Sequence, residues 1–417
     1  MTGQSSKKAR NDFLSNKIFM PSSSPKIFYE SEIFDRNILS KLLLDQKKIL
    51  LVSEKKIWRN CKKFFSKSFT DSISKILLLG DKNNLKADEK NLKTILKIAD
   101  QYQLIIAVGS GTINDLCKLT SAQLKIPYLV FPSAASMNGY LSKNASITIS
   151  GHKKTLQATL PIAVFCNLKM LANAPSALTK AGIGDAMCFY SCWFDWYLSH
   201  LVLNTEFNEK PFNLLQNKID FLLKNFQKFS TKDEEFLKIL FEILLLSGLG
   251  MTMCGGSYPA SQSEHLIAHA LEMKYPKKLK KVFHGSQIAI TTLTSSEIQQ
   301  DLLNRDILRV EKDKFPTKEI EKFFGKKISL ECKKEFAQKT LSDNEVREIN
   351  KNLAKNWDEF RQKLQKIHLN QFRLKQVFSH FKISISHKSL GLSVKEYQDC
   401  VASARFIRNR FTCLDFH

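Results

Sequence analysis

The chain has 417 residues, enough for two domains with cores of their own, and 43% of them are hydrophobic, as in an ordinary globular protein. The formal charge of +24 is less ordinary, but 53 of the 64 basic residues are lysines scattered along the chain, unlike the arginine clusters that read bases and phosphates. The nine cysteines have no paired spacing and the N-terminus has no apolar signal core, so reduced thiols, a cytoplasmic location, no nucleic-acid partner and no integral membrane segment are expected.

Residues 1–25 are polar, end in PSSSP, and read as a flexible lead-in. Short apolar runs then alternate with amphipathic segments. Residues 48–55, 74–81, 103–112 and 125–133 read as buried strands, and 86–102 has helical spacing. Continuous apolar strands separated by helices predict a parallel sheet covered on both faces, in an α/β domain over 26–172. From 173 to 417 the texture changes to long helical patterns, at 176–201, 212–228, 232–250 and 262–275 and through a charged tail. The prediction is an α/β domain followed by an all-helical one, with a site between them. The apolar stretch from Phe241 is interrupted by Gly, Ser and Pro, which makes it a poor membrane span.

Several stretches carry chemistry. Gly109, Ser110 and Gly111 follow a predicted strand and open a helix, where bare backbone N–H groups can meet a pyrophosphate; the same turn also serves purely steric ends. It is not the GxGxxG fingerprint. Glu54 ends the first apolar run, where a carboxylate can meet a ribose hydroxyl or simply face water. Asp185 lies early in a helical pattern, and His265, His269 and His284 follow in the same half, a plausible divalent-metal set. His265 and His269 are four apart and share a helix face, and spacing alone does not say whether both are ligands. The lysine run 277–281 reads as an exposed loop.

Seven segments in order, GSGTIND (109–115), FPSAASMNGY (131–140), SGHKKTLQATLP (150–161), NAPSALTKAGIGDAM (173–187), FDW (194–196), YPASQSEHLIAHALEM (258–273) and HG (284–285), resemble the bacterial branch of the sn-glycerol-1-phosphate dehydrogenases. These stand in the superfamily of glycerol dehydrogenases, iron-type alcohol dehydrogenases and dehydroquinate synthases. The resemblance implies a dehydroquinate synthase-like fold, NAD(H) or NADP(H) in the cleft, and a divalent metal, zinc foremost, with nickel or iron as alternatives. It places the metal on Asp185, His265 and His284 and leaves His269 to handle protons. It assigns the diphosphate to Gly109, Ser110, Gly111 and Thr112, with Asp115 supporting the turn. Ser133 and Ser136 would lie along the cofactor, Glu54 would meet the ribose and favour NAD, and Lys153 and Asn138 would face substrate. The implied reaction interconverts dihydroxyacetone phosphate and a glycerol phosphate, or a related polyol, in a homodimer.

Four positions depart from that pattern. Asn138 stands for the usual Asp, Phe189 for a Lys, Tyr258 for an Arg and Gln262 for a Gly. Losing two cations weakens the expectation of a phosphate on the substrate. A cyclitol synthase with tightly held NAD, or a diverged member acting as a binding protein, are the alternatives the same residues allow.

Overall fold

The computed structural model describes residues 25–30, 33–40, 42, 48–80, 85–149, 152–312 and 315–416. The expected flexible lead-in lies outside the described residues except for Pro25.

Six strands form one sheet: β1 (Lys26–Glu30), β2 (Ile49–Glu54), β3 (Lys75–Leu79), β4 (Leu104–Gly109), β5 (Tyr128–Pro132) and, last in the chain, β8 (Ala163–Asn167). Their order is β1-β8-β5-β4-β2-β3 and every pairing is parallel. A separate antiparallel hairpin joins β6 (Asn144–Ile149) to β7 (His152–Gln157). The apolar runs are continuous because both faces of the sheet are covered. Leu50, Val52, Ile105 and Ala107 enter one core, while Ile49, Leu51, Leu104 and Ile106 enter a second with Phe34, Phe65, Phe69 and Phe131.

The principal helices of this half are α1 (Lys55–Cys61), α2 (Glu89–Ala99) and α3 (Gly111–Leu124). Among the described residues no strand follows Asn167. The rest is built on α4 (Ser176–Met187), α5 (Phe189–Leu203), α6 (Lys210–Asn225), α7 (Glu234–Met253), α8 (Ser263–Lys274), α9 (His284–Leu303), α10 (Thr317–Ala337), α11 (Asp343–Gln365), α12 (Gln371–His380) and α13 (Val394–Ser403). The single helical pattern expected over 176–201 is two helices that meet at Cys188. A break of one residue leaves the apolar spacing intact, so periodicity does not reveal it.

Among the described residues α7 is long and apolar enough to cross a membrane, and 78% of that stretch is buried inside the fold. The lysine run 277–281 is exposed except at Leu279, and Lys278 reaches Glu396 at 2.7 Å.

Candidate functional site

Two helices touch at their backbones and thereby bring side chains from distant sequence together. A Cβ on Gly184 of α4 would lie 2.0 Å from the Gly285 carbonyl oxygen, and one on Gly285 would lie 1.9 Å from the Ala181 carbonyl oxygen. Glycine at both positions lets α4 and α9 approach to backbone contact. The neighbours of that contact in sequence are Asp185 and His284, and α8 adds His265 from its first turn. Ligand-capable atoms of these three side chains lie within 4.8 Å of one another.

The details suit a cation. Asp185 Oδ2 accepts the Asn138 backbone N–H at 2.9 Å, while Oδ1 is buried with no hydrogen-bond partner. His284 Nδ1 is likewise buried and without a hydrogen bond, 3.6 Å from Glu272 Oε1. His265 Nδ1 is 2.8 Å from Glu264 Oε1, which turns Nε2 toward Asp185 Oδ1 at 3.8 Å. A carboxylate behind an imidazole is how metal-binding histidines are held in one tautomer and orientation. Burial alone would raise the Glu264 carboxyl. The hydrogen bond and charge of His265, the Gln262 N–H and the Cys192 thiol outweigh it and hold the group down at about 2. Unpartnered buried oxygen and nitrogen atoms around one point are costly unless something positive stands there. Two imidazoles and a carboxylate can hold a divalent ion and leave a position open.

His269 lies one turn further along α8. Its ring is stacked on His284 at 5.6 Å and sits 6.0 Å from His265, while Nδ1 is 3.4 Å from Glu272 Oε2. It is outside the three-ligand set and adjacent to it.

The predicted cofactor residues gather at the C-terminal edge of the sheet. β3 lies to one side of β2, and β4 and β5 to the other, so the chain reverses direction across the sheet between β2 and β4. Ligands of open parallel sheets bind at such a switch point. Glu54 ends β2 there; burial raises its carboxyl and Lys56 counters in part. Gly109 ends β4, Ser110 is extended and makes no side-chain cap, and Gly111 and Thr112 begin α3. The first-turn N–H groups of α3 therefore receive no cap from Ser110. Ser133 N donates to the Gly109 carbonyl at 3.0 Å, and Ser133 and Ser136 are both buried. Asp115 Oδ2 accepts the Ser146 N–H at 3.2 Å, tying α3 to the hairpin. Lys153 pairs with Thr148 in that hairpin, and its side chain lies outside the described residues.

Residues 133–141 cross from the sheet to the helices. Besides its bond to Asp185, Asn138 donates Nδ2 to Ser247 Oγ of α7 at 3.2 Å. Lys118 Nζ, fully buried, donates to the Gly139 and Asn144 carbonyls at 2.6 and 3.0 Å; burial lowers it to about 8 against the pull of Asp115. The other departures pack in aromatic contacts. Phe189 is buried against Trp193 and Phe212, and Tyr258 stacks on Trp196 at 5.5 Å with the Arg410 guanidinium 4.6 Å from its ring. Gln262 donates Nε2 to the Tyr258 carbonyl at 2.8 Å. A second cluster, Cys188, Cys192 and Glu264, lies behind His265, and the Cys192 thiol donates to Glu264 Oε1 at 3.1 Å.

Sequence reasoning missed Glu264, Glu272, Lys118 and the Gly184–Gly285 contact. Acidic residues one before His265 and three after His269 were a readable signal, since positions three apart share a helix face. The glycine contact joins residues a hundred apart and had none.

An α/β half with a parallel sheet followed by an all-helical half is a fold this chain shares with solved glycerol dehydrogenases. A probable glycerol dehydrogenase from Sinorhizobium meliloti has this fold, with a TM-score of 0.58 over 92% of this chain and 89% of its own at 17% identity. Sequence narrows the likeness. The family described as iron-containing alcohol dehydrogenase matches residues 33–175. A glycerol-1-phosphate dehydrogenase (NAD(P)+) of Geobacillus thermodenitrificans is 32% identical over 219 residues, 52% of this chain and 54% of its own length. Its namesake from Thermococcus kodakarensis is 34% identical over 202 residues, 48% of this chain and 57% of its own. The chain spans about half the length of the curated relatives it matches, and over that span it resembles the glycerol-1-phosphate dehydrogenases.

Proposed function

We propose that this chain is an NAD(P)-dependent dehydrogenase that uses a divalent metal, zinc foremost, to interconvert dihydroxyacetone phosphate and sn-glycerol 1-phosphate or a closely related polyol. The observation that carries the reading is the cluster of Asp185, His265 and His284, in which Asp185 Oδ1 is buried without a hydrogen bond. The names of the relatives supply the substrate class and the cofactor. The domain boundary near residue 173 and a homodimer belong to the same proposal.

Asp185, His265 and His284 would hold the ion, Gly109, Ser110, Gly111 and Thr112 the diphosphate, and Glu54 the ribose. Bound there, the metal would supply a Lewis acid for the substrate oxygen, and the nicotinamide a hydride acceptor or donor. The residues do the rest. Glu264 keeps His265 turned toward the ion, and the Asn138 N–H fixes Asp185 Oδ2 so that Oδ1 is left for the ion. His269, at half burial and backed by Glu272, is placed to take the hydroxyl proton and pass it outward, a task suited to an imidazole. A carboxylate at residue 54 repels a 2′-phosphate, so NADH is preferred over NADPH.

The test is metal analysis coupled to NADH and NADPH oxidation over phosphorylated and plain trioses. Turnover of dihydroxyacetone phosphate by a stoichiometrically metallated protein is expected. Turnover of dihydroxyacetone alone would refute the phosphate, and absence of both metal and turnover would refute the dehydrogenase.

A further inference from the structure

Nothing in the relatives or the motifs gives the C-terminal segment or the FDW stretch a role, yet both end at the helix that carries His265. Helix α8 has no side-chain cap of its own. The N–H of its first residue, Ser263, is accepted at 3.1 Å by Asp195 Oδ2, which belongs to α5. Asp195 is fully buried. Its other oxygen accepts Gln299 Nε2 of α9 and the backbone N–H of Cys413, both at 3.1 Å. One carboxylate therefore joins α5, both histidine-bearing helices and the end of the chain.

The same end of the chain grips the turn that leads into α8. Arg410, 8% exposed, donates Nη1 to the Ser261 carbonyl and Nη2 to Ser257 Oγ at 2.8 Å, with its guanidinium against Tyr258. The segment is itself anchored. Thr412 N donates to Asp415 Oδ2 at 2.8 Å, and Asp415 Oδ1 receives Lys339 Nζ at 2.6 Å and Arg405 Nε at 3.0 Å. Phe411, Thr412, Cys413, Leu414 and Phe416 are all buried.

We propose that Asp195, Arg410 and the backbone of Cys413 are positioning residues for the metal site: they fix the first turn of α8, and with it Glu264 and His265. His265 is the third residue of that helix, so a shift of the Ser263 end moves its ring directly. A helix N-terminus needs acceptors for its free N–H groups and favours a negative charge beside them. Here a partner helix supplies both, and the chain end supplies the cation that holds the approach. The proposal rests on the reading that Asp185, His265 and His284 bind a divalent ion.

The test uses the full chain and cobalt(II) as probe, read as affinity against a competing chelator and as the visible absorption band, which follows ligand geometry. Melting of the metal-free protein is followed in parallel. Asp195→Asn turns an acceptor into a donor facing N–H groups. It and Arg410→Met should each weaken cobalt binding about 10- to 100-fold and shift the band, the size expected for residues behind a ligand. Ser257→Ala, which removes only one acceptor of Arg410, should weaken it about threefold, on the order of 0.65 kcal/mol, with melting unchanged. Lys312→Met, at an exposed pair with Asp343, should change neither affinity nor band. Wild-type affinity and band in Asp195→Asn and in Ser257→Ala would overturn the proposal, even if Asp195→Asn melts earlier. Should Asp195→Asn not fold, Ser257→Ala decides alone. Asp185→Ala separates the two layers: wild-type cobalt binding there refutes the metal site itself, whereas loss there with no effect at residues 195 and 257 refutes only the positioning.

Discussion

The backbone contact between α4 and α9 makes Gly184→Ala an informative substitution. The added Cβ would sit 2.0 Å from the Gly285 carbonyl oxygen and 3.0 Å from Ala289 Cβ, whereas ordinary contact begins at 3.4 Å. The helices must part by about 1.4 Å, since the obstacle is backbone and no rotamer can move it. Asp185 and His284 flank the contact and part with it. Metal–ligand bonds near 2.0–2.2 Å tolerate only about 0.2 Å, so one ligand should be lost. We expect metal affinity to fall about 100-fold and stability to fall by about 1–3 kcal/mol, the usual cost of overpacking. Chelator competition and calorimetry of the metal-free protein measure the two effects. Alanine is otherwise the better helix former by roughly 1 kcal/mol. A variant that melts at or above the wild-type temperature and binds metal normally would therefore refute the argument.

Other substitutions probe the remaining parts. Glu264→Gln should weaken metal binding about 10- to 100-fold in the same titration, because His265 loses its ionised partner. With the Glu264 carboxyl near 2 in the folded protein, its stabilisation is present above pH 4.5 and lost as pH falls toward 2; that slope should be smaller in metal-free Glu264→Gln. Gly109→Ala puts a Cβ 2.6 Å from Ile113 Cβ, and NADH affinity should drop about tenfold, or 1.4 kcal/mol, by fluorescence titration; an unchanged affinity would remove the turn from the cofactor site. Lys118, at about 8 when folded and 10.5 when unfolded, binds its proton less well in the folded state, so its own contribution to stability should rise by about 3 kcal/mol between pH 8 and 10.5, against the fall imposed by the buried thiols, whose burial raises them. Lys118→Met should lose stability relative to the wild type across that range in denaturant titrations, and an equal pH slope in both proteins would refute the burial argument.

The sheet was legible because its strands are buried on both faces and so read as unbroken apolar runs, as in residues 104–109 and 128–132. The gathering of Asp185, His265 and His284 was legible only through resemblance, since spacing left the two histidines of α8 as a possible pair. What stayed hidden depends on contacts across long separations. Glu264 was visible as a neighbour of His265, but not as its hydrogen-bond partner until α8 fixed the rotamer. Asp195 stood only as part of the FDW segment, and only packing shows it at the junction of four segments. The turn at Cys188 was invisible because the helices on either side of it are buried almost all round, so the apolar run passes through it unbroken.

The loop 133–141 belongs by sequence to the sheet and by hydrogen bonding to the helices. Its first residue is bonded to Gly109, at the proposed phosphate turn, and Asn138 is bonded to Asp185 and Ser247. A molecule bound at the turn and an ion bound at Asp185 thus act on the two ends of one short segment. If either ligand favours one position of that segment, it changes the affinity of the other, and linkage requires the return effect to have the same size. In the proposed site, metal occupancy would then read out on the dinucleotide, and the dinucleotide on the metal, through the six residues from Ser133 to Asn138.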